Sequence, residues 1–345
     1  MNLLPEKLRN MTPYAPSTGT YAVRLDANES PFDLPASVKE KFLQELFAAP
    51  LNRYPDASAA ALCAAFGARY GIEPGFIMAG NGSDELIGLL LSSFLAKGDT
   101  LLLASPDFSM YRFYAELSEI NLASCSRGAE FGAGALEDAL AQSGAKAVIF
   151  SNPCNPTGSG ISRAELLPLT QKREDVLFLV DEAYMDFWDQ SLLHDAPALS
   201  NLIVLRTLSK AWGAAGLRLG FAVSSPGLIS ALNAARSPYN VGTPAQILGR
   251  ILLEQEGSRG AFLAEQARKL ERQLKLLLPQ ARVFPTHTNF VYLETQDAAQ
   301  IYEYLKKQGI IIRLFGQNAL RITASVDEEL GALYAALEQM KEASK

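Results

Sequence analysis

The middle of the chain alternates short apolar runs with segments whose apolar residues recur at helical spacing. Apolar runs of strand length predict β-strands at 100–105, 147–151, 176–180, 202–206 and 220–224. Helical spacing predicts α-helices between them at 84–96, 110–117, 135–142 and 162–171. Continuous apolar strands that alternate with amphipathic helices are typical of a mostly parallel sheet covered on both faces. The central region is therefore predicted to be an α/β domain.

The two ends of the chain depart from this alternation. Residues 1–30 are rich in Pro and Asn and predict irregular structure, and helical spacing follows at 36–49, 57–70 and 244–278. The tail predicts a small α+β domain, with strand patterns at 290–294, 310–315 and 319–324 and helix patterns at 297–308 and 327–342. We expect an N-terminal segment (1–35) associated with the small domain, a large domain (36–278) and a small C-terminal domain (279–345).

Charge and composition narrow the class of protein. The net charge of −6 disfavours a nucleic-acid partner, which normally calls for a basic surface. No apolar run approaches the roughly 20 residues of a membrane span, and the N-terminus lacks the apolar core of a signal peptide. The three cysteines are widely spaced and predict free thiols, and the two distant histidines predict no zinc site. A cytoplasmic protein without a metal is expected.

Ligands of an open parallel sheet bind beyond the carboxyl ends of its strands, so polar residues at those ends are the candidates for chemistry. In "GNGSDE" (80–85), small residues precede a helix start at Ser83 and Asp84, which suits either an anion site or a plain helix cap. In "NPCNPTG" (152–158), two Asn-Pro steps hold amides, including that of Asn155, at a strand end, or form a simple turn.

Two more strand ends carry charged residues. Asp181 directly follows a buried strand, which is costly unless the carboxylate caps a helix or meets a cation or a metal. Lys210 follows the next strand, with Ser209 before it and Arg218 eight residues later. A pyridoxal 5′-phosphate site needs these parts: a lysine to bind the cofactor covalently, an acid for the ring nitrogen, and donors for the phosphate.

Eight short stretches in order along the chain resemble the fold-type I aminotransferases that use pyridoxal 5′-phosphate, and among them the histidinol-phosphate aminotransferases. They are "PYAP" (13–16), "LDANESPF" (25–32), "LNRYPD" (51–56), "GNGSDELI" (80–87), "NPCNPTG" (152–158), "VDEAY" (180–184), "TLSKAWGAAGLRLG" (207–220) and "LRIT" (320–323). The fold implied is a mostly parallel central sheet sandwiched by helices, plus a small α+β domain.

The resemblance implies a role for each matching residue that would hold the cofactor. Lys210 would bind it covalently and then move a proton between the substrate and the cofactor. Asp181 would pair with the ring nitrogen, and Asn155 and Tyr184 would hydrogen-bond the ring oxygen. The phosphate would be surrounded by Ser83, Asp84, Ser209 and Arg218, and by Tyr54 from the second subunit of a homodimer.

The resemblance also implies residues that select the substrate. Arg321 would bind the carboxylate of the amino-acid donor, beside Asn155, and Arg313 would bind the phosphate of the acceptor. Phe108 takes the position that stacks on the cofactor ring, where this subfamily usually has tyrosine. Stacking survives that change, but the hydrogen bond of the phenol does not.

The activity expected is the transfer of an amino group between histidinol phosphate and 2-oxoglutarate, in histidine biosynthesis. Two alternatives keep the fold: an aromatic amino-acid aminotransferase, and a threonine-phosphate decarboxylase, which usually carries a His-Gly-Gly segment that this N-terminus lacks. A third alternative is a non-catalytic module of the same fold that senses a ligand and regulates transcription. That role needs a DNA-binding domain, and neither the N-terminal segment nor the acidic charge favours one.

Overall fold

A computed structural model describes residues 3–9, 11–12, 17–128, 131–255 and 257–343, so the "PYAP" stretch at 13–16 lies outside the described residues. The helices are α1 Glu6–Arg9, α2 Ala36–Ala48, α3 Ala60–Tyr70, α4 Ser83–Phe94, α5 Met110–Leu117, α6 Ala133–Ser143, α7 Arg163–Lys172, α8 Pro226–Ala235, α9 Thr243–Leu253, α10 Gly260–Leu277, α11 Ala298–Lys307 and α12 Asp327–Ala343. The strands are β1 Val23–Arg24, β2 Ile77–Gly80, β3 Thr100–Ser105, β4 Asn121–Ser126, β5 Ala147–Ser151, β6 Leu177–Asp181, β7 Leu202–Thr207, β8 Gly220–Val223, β9 Arg282–Val283, β10 Phe290–Glu294, β11 Ile310–Ile311, β12 Arg313–Phe315 and β13 Ala319–Thr323.

A seven-stranded sheet forms the centre of the large domain, in the order β2-β8-β7-β6-β5-β3-β4. Strands β3 to β7 pair in parallel, while β8 runs antiparallel to both β2 and β7. This arrangement confirms the predicted mostly parallel sheet. Because β8 runs in the opposite direction, its first residue, Gly220, lies at the same edge as the last residues of β2 and β7, Gly80 and Thr207.

Both faces of this sheet are covered, as its continuous apolar strands require. One face packs against α4, α5 and α8 through buried residues such as Leu90 and Leu232. The other face packs against α3, α6, α7 and α9, where Phe66 stacks on Phe221 of β8 with ring centroids 4.2 Å apart. The sheet is thereby covered on both faces, and its carboxyl edge opens into a cavity.

The C-terminal region forms a second, smaller core. Its antiparallel sheet has the order β12-β13-β10-β9, and α10, α11 and α12 pack on it. Strand β1 pairs in parallel with β11, and Val23 and Leu25 join the same core. The N-terminal segment is thus held against the small sheet, and it crosses to the edge of the large one.

The five predicted strands of the large sheet are present, each within one residue of its expected ends. The sequence analysis did not identify β2, β4 or α8. Strand β4 reads "NLASCS" and lies at the sheet edge, where half of its side chains face solvent, so no continuous apolar run marks it. The predicted helical region 244–278 is present as two helices, α9 and α10, and Gly257 in the break between them has a φ of +74°, which does not fit a helix.

The described part of the chain contains no group of three or more His, Cys, Asp and Glu side chains placed to hold a metal ion. Within the same residues, no helix combines the length and apolarity needed to cross a membrane. The three cysteines, Cys63, Cys125 and Cys154, are buried and form no disulfide.

Candidate active site

A cavity of about 680 Å³ opens where the carboxyl edge of the large sheet faces the small sheet and the N-terminal segment. This volume falls within the usual range of small-molecule sites. Eleven of the twelve residues predicted for the site line the cavity: Ser83, Asp84, Phe108, Asn155, Asp181, Tyr184, Ser209, Lys210, Arg218, Arg313 and Arg321. Tyr54, the twelfth, does not line the cavity of its own chain.

One end of the cavity is built to receive an anion. The N-terminus of α4 points there, and its backbone N–H groups carry the positive end of the helix dipole. The hydroxyl of Ser209 is buried beside it and accepts a hydrogen bond of 3.0 Å from Thr207. Gly82 leads into the helix with a φ of +88°, and a side chain at this position would lie 2.8 Å from the guanidinium of Arg218.

Arg218 reaches the same anion site from the opposite side. Its backbone adopts the left-handed conformation, with φ 52° and ψ 55°, which is uncommon for a residue with a side chain. Its Nη2 donates to Asp84 Oδ2 at 3.0 Å, so the acid in the first turn of α4 orients the arginine. A strained backbone kept at a cavity wall is typical of a functional position.

Asp181 ends β6 on the floor of the cavity and is 4% exposed. Its carboxylate accepts hydrogen bonds from the Tyr111 hydroxyl at 2.7 Å and from the Ala183 N–H at 3.0 Å. Burial raises the pKa of Asp181 to about 7, although these two hydrogen bonds lower it. Within the described residues, these two hydrogen bonds come from neutral groups, so a cationic ligand would relieve the cost of burying the carboxylate.

Tyr184 and Asn155 face the cavity from two different loops. The Tyr184 hydroxyl accepts a hydrogen bond of 2.9 Å from Asn28 Nδ2, and its ring packs edge-on against Phe290. Asn155 Oδ1 accepts from Arg321, which comes from the small sheet. Both polar groups are therefore oriented by residues outside the large sheet.

Lys210 lies between the anion end and the floor of the cavity. Its Nζ donates to the Ala27 carbonyl at 3.3 Å and lies 5.8 Å from the centre of the Tyr184 ring. Gly213, with a φ of +66°, turns the chain directly after the lysine, and a side chain there would contact Ser30. The amine is thus held in the cavity by a weak contact that a covalent ligand can replace.

Arg321 and Arg313 form the wall contributed by the small domain. They are direct cross-strand partners on β13 and β12, so their side chains lie on the same face of the sheet. Arg321 is 7% exposed, and its Nη2 donates to the Asp26 carbonyl at 2.7 Å. Like charges placed opposite each other repel, and an anion between them stabilises the pair.

Phe108 and Tyr54 have different environments. Phe108 lines the cavity and meets Tyr111 edge-on, with ring centroids 5.6 Å apart. Tyr54 is 81% exposed and stacks on Tyr239 at 4.4 Å, so it lies on the outer surface of its own chain. Its contribution to the cavity of a second subunit remains a prediction.

The structure adds cavity residues that the sequence analysis did not select, among them Arg24, Asp26, Asn28 and Tyr111. Asn28 and Asp26 belong to the quoted stretch "LDANESPF", but only the pairing of β1 with the distant β11 places them at the site. Tyr111 lies on a helix face that reads as core, because its ring is buried and only its hydroxyl reaches Asp181.

Comparison with known proteins identifies the family. The family model for "Aminotransferase class I and II" matches residues 21–337. A histidinol-phosphate aminotransferase of Thermoanaerobacter sp. (strain X514) is 33% identical over 98% of this chain and 99% of its own length. One from Chromobacterium violaceum is 36% identical over 92% of both chains.

A solved structure of a relative has the same fold as this chain. The histidinol-phosphate aminotransferase of Sinorhizobium meliloti, in complex with pyridoxal-5′-phosphate, superposes with a TM-score of 0.87 at 22% identity and covers 100% of this chain and 99% of its own. The likeness extends over both the large sheet and the small domain. The chain belongs to the class I and II aminotransferases.

Proposed function

We propose that the protein is a pyridoxal 5′-phosphate-dependent aminotransferase that exchanges the amino group of histidinol phosphate with 2-oxoglutarate, giving imidazole-acetol phosphate and glutamate. The observation that carries the proposal is the meeting of Lys210, the buried Asp181 and an anion site in one cavity. Relatives named histidinol-phosphate aminotransferases along nearly the full chain support the choice of substrate.

The residues present fit this cofactor. Asp181 is a buried carboxylate whose pKa is raised by burial, and a protonated pyridine nitrogen would supply the positive charge that stabilises its ionised form. The start of α4, Ser83, Ser209 and Arg218 offer N–H, O–H and guanidinium donors to its phosphate. Bound pyridoxal phosphate supplies an aldehyde that takes up the amino group and a ring that delocalises the negative charge of the deprotonated substrate carbon.

The chain's own residues would position the reactants and move the proton. Lys210 would hold the cofactor and, once displaced by the substrate amine, carry the proton of the substrate α-carbon on Nζ. Tyr184, held by Asn28, and Asn155, held by Arg321, would donate hydrogen bonds to the ring oxygen. Arg321 also contacts the N-terminal segment. Binding of a substrate carboxylate to Arg321 would therefore connect the large domain, the small domain and the N-terminal segment.

The arginine pair supports two substrates that carry different anionic groups, a carboxylate and a phosphate. Arg321 would take the carboxylate of glutamate, and Arg313, directly opposite, would add the second charge that a phosphate dianion calls for. One cavity could then accept both substrates of a two-step exchange in turn.

Replacement of Lys210 tests the central claim. The Lys210→Ala variant should lose both transaminase activity and the near-visible absorbance of a lysine-bound pyridoxal phosphate, because no other amine replaces Nζ. Lys97→Ala, which removes an exposed surface lysine, is the control and should keep both. An unchanged absorption spectrum in the Lys210 variant would remove the claim.

A panel of amino acceptors tests the substrate. With glutamate as donor, imidazole-acetol phosphate should react with a higher kcat/KM than phenylpyruvate. Preference for phenylpyruvate would instead identify an aromatic amino-acid aminotransferase, and release of carbon dioxide from threonine phosphate would identify a decarboxylase.

A cytoplasmic homodimer completes the proposal, with no nucleic acid or membrane as partner. Tyr54 carries an exposed phenol on the outer surface, in keeping with a role at the phosphate of the second subunit. Binding there would make each cavity complete only in the dimer.

A further inference from the structure

A buried ionic cluster lies at the edge of the cavity, which Ser151 helps to line, and it takes no part in the roles described above. It consists of Asp107, Arg127 and Ser151, at the ends of β3, β4 and β5. The side chains of Arg127 and Asp107 are 1% and 4% exposed, and Arg127 Nη2 donates to Asp107 Oδ2 at 2.6 Å. Burying such a pair costs desolvation energy, and apolar residues of similar size often do as well for stability. Stability alone therefore does not explain why the Arg127–Asp107 pair lies at the edge of the cavity.

On one side, Asp107 contacts the backbone of Phe108, a residue that lines the cavity. Its Oδ1 accepts from the backbone N–H of the next residue, Phe108, at 2.8 Å. This hydrogen bond fixes the backbone turn from which the Phe108 ring enters the cavity. The same carboxylate thus limits how far that ring can move.

The contacts on the other side lead to Asn155. The Ser151 hydroxyl donates to Asp107 Oδ1, and the Ser151 N–H donates to Oδ2 at 3.1 Å. Ser151 Oγ in turn accepts from the Asn155 N–H at 3.0 Å. Arg127 Nη2 also donates to the Ser151 carbonyl at 2.8 Å, so the arginine is hydrogen-bonded to both Asp107 and Ser151.

We propose that Asp107 is a positioning residue that fixes Phe108 and Asn155, two residues that would contact the cofactor ring, at one separation. Through four hydrogen bonds with Phe108, Ser151 and Arg127, it ties the loop after β3 to the loop after β5. The inference rests on the proposed function, since it assumes that both residues meet the pyridine ring. Burial raises the pKa of Asp107, whereas the Arg127 guanidinium beside it favours the ionised carboxylate, the form that can accept from every donor around it.

The test measures the affinity of the cofactor-free protein for pyridoxal phosphate by absorbance titration, together with the unfolding midpoint. Asp107→Asn replaces one accepting oxygen by a donor that cannot satisfy Arg127 or the Ser151 N–H. It should weaken cofactor binding by roughly tenfold or more, the effect of losing a charged hydrogen bond. Ser151→Ala removes the bridge to Asn155 without changing any charge, and it should weaken binding by about threefold to tenfold.

Leu140→Ala is the control, because it opens a cavity in the core of the same domain, away from the site. It should lower the unfolding midpoint and leave cofactor affinity unchanged. The double variant Asp107→Asn/Ser151→Ala should bind pyridoxal phosphate no more weakly than Asp107→Asn alone. Both changes break the same chain of hydrogen bonds from Asp107 through Ser151 to Asn155.

The possible outcomes can be told apart. Coupled losses of cofactor affinity support the proposal. Loss of stability with unchanged affinity in both Asp107→Asn and Ser151→Ala overturns it, as do additive losses. Should Asp107→Asn fail to fold, Ser151→Ala decides alone. Failure of the wild-type protein to bind pyridoxal phosphate overturns the proposed function, and the inference with it.

Discussion

At the scale of single residues, the site is governed by the cost of burying charge. Asp181 lies on the cavity floor with hydrogen bonds from two neutral donors, and burial raises its pKa to about 7. An unfolded chain releases that proton near pH 4. The folded cofactor-free protein therefore holds a proton that the unfolded chain has lost, over the window between about pH 4 and pH 7.

This window gives a prediction for Asp181→Asn. The free energy of unfolding of the cofactor-free wild type should fall as pH rises from about 4 to 7, because there the folded state binds more protons. The variant lacks this titration, so at pH 8 it should be more stable than the wild type by on the order of 4 kcal/mol, with the difference vanishing near pH 4. Urea unfolding of both cofactor-free proteins at several pH values measures it.

The same variant should bind pyridoxal phosphate more weakly, since the amide cannot pair with a protonated ring nitrogen. A stability difference that stays constant from pH 4 to pH 8 would contradict the pKa assigned to Asp181. Stability and function are thus opposed at one side chain.

Arg313 gives a second prediction at this scale. Arg313→Ala should lower kcat/KM for a phosphorylated acceptor by about a hundredfold, and the half-reaction with glutamate by no more than about threefold, because the proposed carboxylate site at Arg321 would be unchanged. Arg282→Ala, in the same small sheet but paired with Glu294 at the surface, is the matched control. Equal losses with both substrates would remove Arg313 from the phosphate site.

At the scale of elements, the anion site depends on how closely α4 approaches β8. A side chain at Gly220 would lie 2.4 Å from the backbone nitrogen of Ser83, so only glycine lets the strand start beneath the helix N-terminus. Gly220 has ordinary strand geometry, and its requirement is therefore one of space rather than of backbone conformation.

Gly220→Ala should displace the start of α4 and weaken binding of pyridoxal phosphate by about tenfold or more, together with a loss of stability of about 1 to 3 kcal/mol from overpacking. Gly227→Ala is the control, because a side chain in the first turn of α8 meets no atom within 4 Å. Cofactor titration and thermal unfolding compare the two. Unchanged affinity in the Gly220 variant would show that the helix start does not bind the phosphate.

Elements and residues differ in how far the sequence predicts them. The apolar strands β3, β5, β6, β7 and β8 were predictable because burial on both faces leaves a continuous pattern, and the fold class followed from them. Residues such as Lys210 could be selected because a charged residue beyond a buried strand conflicts with its surroundings. Asn28 and Arg24 could not, because their place depends on a long-range strand pairing that no local pattern encodes.

At the scale of the whole molecule, exposed apolar side chains are concentrated in the segment 43–54. Leu43, Phe47, Leu51 and Tyr54 are 61%, 95%, 62% and 81% exposed. A patch of this kind is typical of a protein–protein contact, and the proposed homodimer would cover it.

Phe47→Glu should therefore shift the protein from dimer to monomer and weaken binding of pyridoxal phosphate, since Tyr54 could no longer reach the second cavity. Sedimentation velocity measures the association state, and Leu276→Glu, on an exposed position of α10, is the control. A wild-type protein that is fully active as a monomer would contradict this prediction.

The pairing of β1 with β11 also sets the order in which the protein can be completed during synthesis. Asp26 and Arg321, joined by a hydrogen bond across the cavity, are 295 residues apart in the chain. A growing chain that has already formed the seven-stranded sheet, whose last strand ends at Val223, still lacks β11 and β13. The segment around Asp26 must wait for them, so the pocket closes only when nearly the whole chain has left the ribosome.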